Sequence, residues 1–223
     1  MAGSEPGQPD WNAIVPALRK ALSARPTASV TEIAELGGTP FEVLISTIIS
    51  LRTRDEVTLA ASRSLFAVAH TPEGMVALSS ERIAEIIYPA GFYRNKGKSI
   101  LEISRLLIEE HGGAVPDSLD RLVALPGVGR KTANLVLGLG FGIPAICVDT
   151  HVHRIPNRAG WISTKTPEQS EQALEAILPK KYWIEINTLL VGYGQTICTP
   201  QSPRCSHCLI YDHCARVGVE RSR

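Results

Sequence analysis

The chain has 223 residues, 44% hydrophobic and 20% charged, and 23 Lys plus Arg against 22 Asp plus Glu leave a formal net charge of +1. That length allows one large domain or two small ones with a real core, and the composition reads as globular and soluble. No run approaches the ~18 apolar residues of a membrane span, and a near-neutral balance argues against coating nucleic acid by bulk electrostatics while leaving a local site open.

Met1 to Asp10 is polar, with neither a basic start nor an apolar stretch, so no secretory signal is expected and a cytoplasmic protein is the default. From Asp10, the spacing of Ile14, Leu18 and Leu22 predicts an amphipathic helix. Arg25-Pro26 ends it, because proline disfavours α geometry in the residue before it. A brief linker follows. Thr39-Pro40-Phe41-Glu42 predicts a capped helix start, with Phe41, Leu44, Ile45, Ile48 and Ile49 on one face, the most buried of the chain. Val57, Ala61, Leu65 and Val68 form the next face, Thr71-Pro72-Glu73 starts a short helix, and Ile83, Ile86 and Ile87 mark another that ends at Pro89.

Gly91 to Gly97 interleaves aromatic and basic residues and reads as a loop. It is either a nucleic-acid contact or a solvated turn with Phe92 tucked into the core, and loop composition alone favours the turn. Ile100, Ile103 and Leu107 then resume a helix that stops at Gly112-Gly113.

Ser118 to Leu125 reads as a short helix leading into Leu125-Pro126-Gly127-Val128-Gly129-Arg130-Lys131-Thr132-Ala133-Asn134. Gly127 and Gly129 can take positive φ and admit a close neighbour. Ala133, Val136, Leu137 and Gly140 repeat at helical spacing, so a hairpin feeds a helix N-terminus, where unpaired N–H groups and the dipole suit a phosphate. Read alone, a Gly-Val-Gly corner is more often only a bend.

The pattern breaks from Gly142 to His153. Within that break Asp149, beside Thr150 and His151, is a helix N-cap, a carboxylate facing Lys131 across a cleft, or both. Cys147 reads as a small core residue. Thr166-Pro167-Glu168-Gln169 caps a helix through Leu174, Ile177 and Leu178, stopped by Pro179, and Tyr182 to Val191 forms a last long one. With no sustained period-2 alternation and no internal repeat, the chain is expected to be all-α.

Four of the five cysteines fall at Cys198, Cys205, Cys208 and Cys214. Disulfides are unexpected in a reducing compartment, and a metal centre is the alternative. Zinc sites usually pair two C-x2-C units, whereas this order suits a loop around a larger object such as a cubane cluster. Spacing alone leaves iron–sulfur and zinc level, with His207 and His213 as stand-in zinc ligands.

A lysine beside a phosphate-gripping hairpin points to covalent chemistry. Burial, or a cationic neighbour such as Arg130, favours the neutral amine, which can attack a sugar C1′. A carboxylate stabilises the positive charge that develops on the sugar as a base departs. Reaching C1′ requires turning the nucleotide out of the stack, which is cheaper for a damaged or mispaired base.

Together, Leu125 to Asn134, Val148-Asp149-Thr150-His151 and the Cys198, Cys205, Cys208, Cys214 spacing resemble the endonuclease III family of helix–hairpin–helix DNA glycosylases, over nearly the whole chain from Thr39 to Cys214. The resemblance implies a six-helix barrel domain over 33–143, and a cluster domain from 1–32 and 144–223 with a DNA groove between the two. It also implies a 4Fe-4S cofactor held by the four cysteines. It implies a monomer that removes oxidised pyrimidines from double-stranded DNA and cleaves damaged or abasic strands by β-elimination, nucleoid-associated if bacterial.

By motif position, Lys131 matches the Schiff-base nucleophile and Asp149 the catalytic carboxylate. Gly127, Val128, Gly129 and Arg130 match the phosphate-gripping hairpin, and His151 a further DNA contact. Two positions depart from the family pattern. Arg52 stands where many relatives have a glutamine that fills the gap left by the flipped base, and Phe92 stands where a leucine wedge is common. Arginine only donates hydrogen bonds where glutamine both donates and accepts, so opposite-base preference is expected to differ. Arg204 is the only basic residue between Cys198 and Cys205, which implies modest, salt-sensitive DNA affinity.

Overall fold

The computed structural model describes residues 9–24 and 27–223. The expected stop at Arg25-Pro26 lies outside the described residues. Among those described, the structure is helical with no strand, and it divides into two compact units, 27–145 and the chain ends up to 24 and from 146.

The 27–145 unit holds α2 (Ser29–Glu35), α3 (Pro40–Ser50), α4 (Asp55–Phe66), α5 (Pro72–Val76), α6 (Ser80–Ile87), α7 (Tyr93–His111), α8 (Leu119–Val123) and α9 (Arg130–Phe141). Two of these, α5 and α8, are five-residue turns, which leaves six longer helices. The capping box at Thr39 forms as expected: its hydroxyl accepts from Glu42 N while Glu42 accepts from Thr39 N. The α3 helix is the apolar centre, with Phe41, Val43, Leu44, Ile45, Ile48 and Ile49 all buried against residues of α4, α6, α7 and α9.

Four expectations are corrected here. The linker after the first helix contains α2, which buries Val30 and Ile33 and has no side-chain cap at Ala28. Val68 lies beyond α4 and is exposed, because the helix stops at Phe66. The loop expected from Gly91 to Gly97 is only a turn at Gly91-Phe92, since α7 starts at Tyr93. The break expected to reach His153 ends at Asp149, where the next helix begins.

The other unit joins α1 (Trp11–Leu22) to α10 (Thr150–Ala159), α11 (Pro167–Ile177) and α12 (Trp183–Thr196). It has its own core, in which Ile14, Val15 and Leu18 of α1 meet Ile186, Leu190 and Tyr193 of α12 and Val152 and Ile155 of α10. The α12 helix runs to Thr196, past the expected end at Val191. Cys147 is buried, as expected.

Candidate active site and cluster loop

In the hairpin, Leu125 and Val128 point into the core, and Val128 N donates to Leu125 O at 3.1 Å, closing the turn. The two glycines are consequently exposed. Only Gly127 uses positive φ, at 76°. Gly129 is extended (φ −87°, ψ 171°) and serves as N-cap of α9 without a side-chain capping bond. A Cβ on either glycine would meet nothing within 4 Å. Gly129 thus leaves open space beside a helix N-terminus, where backbone N–H groups point outward.

Arg130 and Lys131 are the first residues of α9, and its first turn has no acidic residue. Two cations at a positive dipole end raise the positive potential there, which suits an anion. Lys131 is exposed rather than buried.

Asp149 belongs to the other unit and is the N-cap of α10, accepting from His151 N and Val152 N at 2.8 Å each. Both bonds use Oδ1. The capping role weighed from sequence is therefore real. His151 Nδ1 lies 3.0 Å from the Arg154 guanidinium, which also donates to Cys198 O at 2.8 Å.

Arg52 and Phe92 form a second feature of the 27–145 unit. Both are in the left-handed region, at φ 54° and 57°, which residues with a Cβ avoid. Phe92 is 59% exposed, so the reading that tucked it into the core is wrong, and the Arg52 guanidinium lies 5.6 Å from its ring centre. Sequence reading missed Lys96, which is buried behind them. Burial pushes its ammonium down to about 8.

The four cysteines lie on the segment after α12, which contains two 3₁₀ turns, Cys205–His207 and Tyr211–His213. Its fold depends on ties to the helices. Arg158 donates to Cys198 Sγ (3.3 Å), Thr199 O (2.7 Å) and Pro200 O (2.7 Å). Tyr193 Oη donates to Cys208 Sγ (3.2 Å) and accepts from Leu209 N (3.0 Å), and Trp161 Nε1 donates to His213 O (2.8 Å). Among the described residues, no three His, Cys, Asp or Glu side chains converge tightly enough for one metal ion. Four partly buried, free thiols on one loop are a Cys₄ donor set of the kind that holds an iron–sulfur cluster. Burial pushes the Cys208 and Cys214 thiols up.

Residues 45–180 match the model of the HhH-GPD superfamily of base excision DNA repair proteins, and residues 198–214 match the iron–sulfur binding domain of endonuclease III. Endonuclease III of Thermotoga maritima is 53% identical over 175 residues, spanning 78% of this chain and 82% of that protein. The chain belongs to the endonuclease III family. Among solved structures, a trapped endonuclease III–DNA covalent intermediate aligns at TM-score 0.79 with 32% identity over 91% of this chain and 92% of that one. A non-covalent endonuclease III–DNA complex aligns at 0.80, also with 32% identity, over 92% and 94%. The cofactor of this family member is a 4Fe-4S cluster.

Proposed function

We propose that this protein is a bifunctional DNA glycosylase and abasic-site lyase of base excision repair. It acts on oxidised pyrimidines in double-stranded DNA, as a cytoplasmic monomer. The carrying observation is a lysine at the second position of a helix that follows a glycine hairpin, in a chain of this family.

In this reading the Gly127-Val128-Gly129 hairpin, with the Val128 N–H spent on closing the turn, presents the N–H groups of Gly129 and the start of α9, with Arg130, to a backbone phosphate and so sets the distance from Lys131 to the target sugar. The Lys131 amine, once deprotonated, attacks C1′. The bond from C1′ to the base breaks, and the base leaves with a proton. Ring opening gives a lysine Schiff base, loss of a C2′ proton expels the 3′ phosphate, and hydrolysis frees the amine. Asp149 stabilises the charge that develops on the sugar and moves protons.

Arg52, Phe92 and His151 contact the DNA, the first two where the extruded base leaves a gap. Cys198, Cys205, Cys208 and Cys214 hold the cluster, which supplies a rigid, four-point tie for the loop after α12. Borohydride trapping tests the chemistry. Duplexes with thymine glycol or an abasic site should yield a covalent adduct that Lys131→Ala abolishes, and absence of an adduct on both duplexes would overturn the lyase assignment.

A further inference from the structure

The feature that the chemistry above leaves unused is the buried Lys96. Among the described residues, no carboxylate pairs with its side chain. Instead its three N–H groups go to Ile49 O (2.6 Å), Leu51 O (2.6 Å) and Thr53 Oγ1 (2.7 Å). The first two acceptors are carbonyls at the C-terminal end of α3, a natural place for a cation. The third is different, because Thr53 Oγ1 also accepts from Gly91 N at 3.0 Å. Gly91 packs so closely on the chain before it that a Cβ would collide with Arg52 O.

Lys96 lies on the first turn of α7, four residues after Phe92, whose carbonyl accepts from Lys96 N at 3.0 Å. Through these contacts one ammonium ties the turn carrying Arg52 to the turn carrying Phe92. Both turns hold a non-glycine residue in the left-handed region, a conformation that persists only where the surroundings enforce it.

We infer that Lys96 is a positioning residue that locks the Arg52 and Phe92 turns into one rigid edge, so that the enzyme can displace a stacked, paired base. The inference rests on the reading that Arg52 and Phe92 meet DNA at the extruded base. A side chain kept nine-tenths buried with all three donors used costs desolvation, and satisfying α3 alone would need only two of them. The third bond is the one that reaches the second turn.

The test separates base extrusion from chemistry. Single-turnover rates at saturating enzyme are measured on thymine glycol paired with adenine, on the same lesion without an opposite base, and on a preformed abasic site. Lys96→Met keeps the stem and removes the donors. It should lose about 10- to 100-fold on the paired lesion, as misplaced positioning groups do, and stay within about threefold of wild type on the other two substrates. An equal loss on all three substrates would mean a general structural role and overturn the inference, as would no loss on any.

If Lys96→Met fails to fold, Thr53→Val decides, since it removes the shared acceptor and should show the same substrate pattern at smaller size. Arg52→Ala and Phe92→Ala distinguish the two levels of the argument. Loss on the paired lesion in these two, with Lys96→Met unchanged, refutes the lock alone. Wild-type rates in both refute the underlying DNA contact.

Discussion

At the scale of single residues, the cap that Asp149 makes and the chemistry proposed for it can be separated by different substitutions. Its Oδ1 caps α10, a task that asparagine performs as well, whereas the proposed chemistry needs its negative charge. Asp149→Asn should therefore keep the wild-type unfolding midpoint while lowering the excision rate by roughly 10²- to 10⁴-fold. Asp149→Ala should lose the rate and, in addition, about 1 kcal/mol of stability. Paired kinetic and denaturation measurements would show whether the two losses part in this way.

Lys96 makes a pH prediction at the same scale. Burial lowers its folded value from 10.5 to about 8, so between those limits the unfolded chain keeps a proton that the folded protein releases. Stability from this group thus rises with pH across that window. Relative to Lys96→Met, the wild-type denaturation midpoint should climb from pH 8 to pH 10, and a constant gap would contradict the shift.

At the scale of elements, the two hairpin glycines have different reasons to be glycine. Gly127 needs positive φ, so Gly127→Ala should cost roughly 1–2 kcal/mol in left-handed strain although its Cβ has room. Gly129 is extended with open space around it, so Gly129→Ala should leave the unfolding midpoint unchanged. It should still weaken DNA binding about tenfold, because the methyl group stands where the phosphate approaches. Binding titrations on an abasic-analogue duplex check this, and unchanged affinity would remove Gly129 from the phosphate grip.

Helix starts followed how clearly the sequence advertised them. Thr39, Thr71 and Thr166 each precede proline, and each caps through its hydroxyl as the motif requires. The α2 helix was missed because it is seven residues long and begins after an alanine with nothing to cap it. The α7 helix starts after a left-handed Phe92, which no propensity anticipates.

For the whole molecule, the cluster loop has no regular helix longer than a 3₁₀ turn and no core of its own, so the cofactor should stabilise one unit selectively. All three tryptophans, Trp11, Trp161 and Trp183, belong to that unit; Trp161 bonds to the loop and packs edge-on to Trp11 at 5.1 Å. Oxidation followed by iron chelation should bleach the protein and shift its tryptophan emission to the red, while most of the helical circular dichroism of the 27–145 unit remains. Complete loss of helical signal would show that both units depend on the cluster.

The sequence alone determined the helical class, the hairpin, the lysine and aspartate proposed to carry the chemistry, and the cysteine set. Each of these is written in local spacing or in side chains whose reactivity is intrinsic. Lys96 illustrates the other kind of information. It shares the buried stripe of Ile100, Ile103 and Leu107, which hinted at a core-facing cation. Its partners, however, lie more than forty residues earlier, at Ile49, Leu51 and Thr53. Only tertiary structure brings those carbonyls to an ammonium, exposes Phe92 and commits Oδ1 of Asp149 to the cap of α10, because long-range packing and hydrogen-bond direction are not written in local spacing.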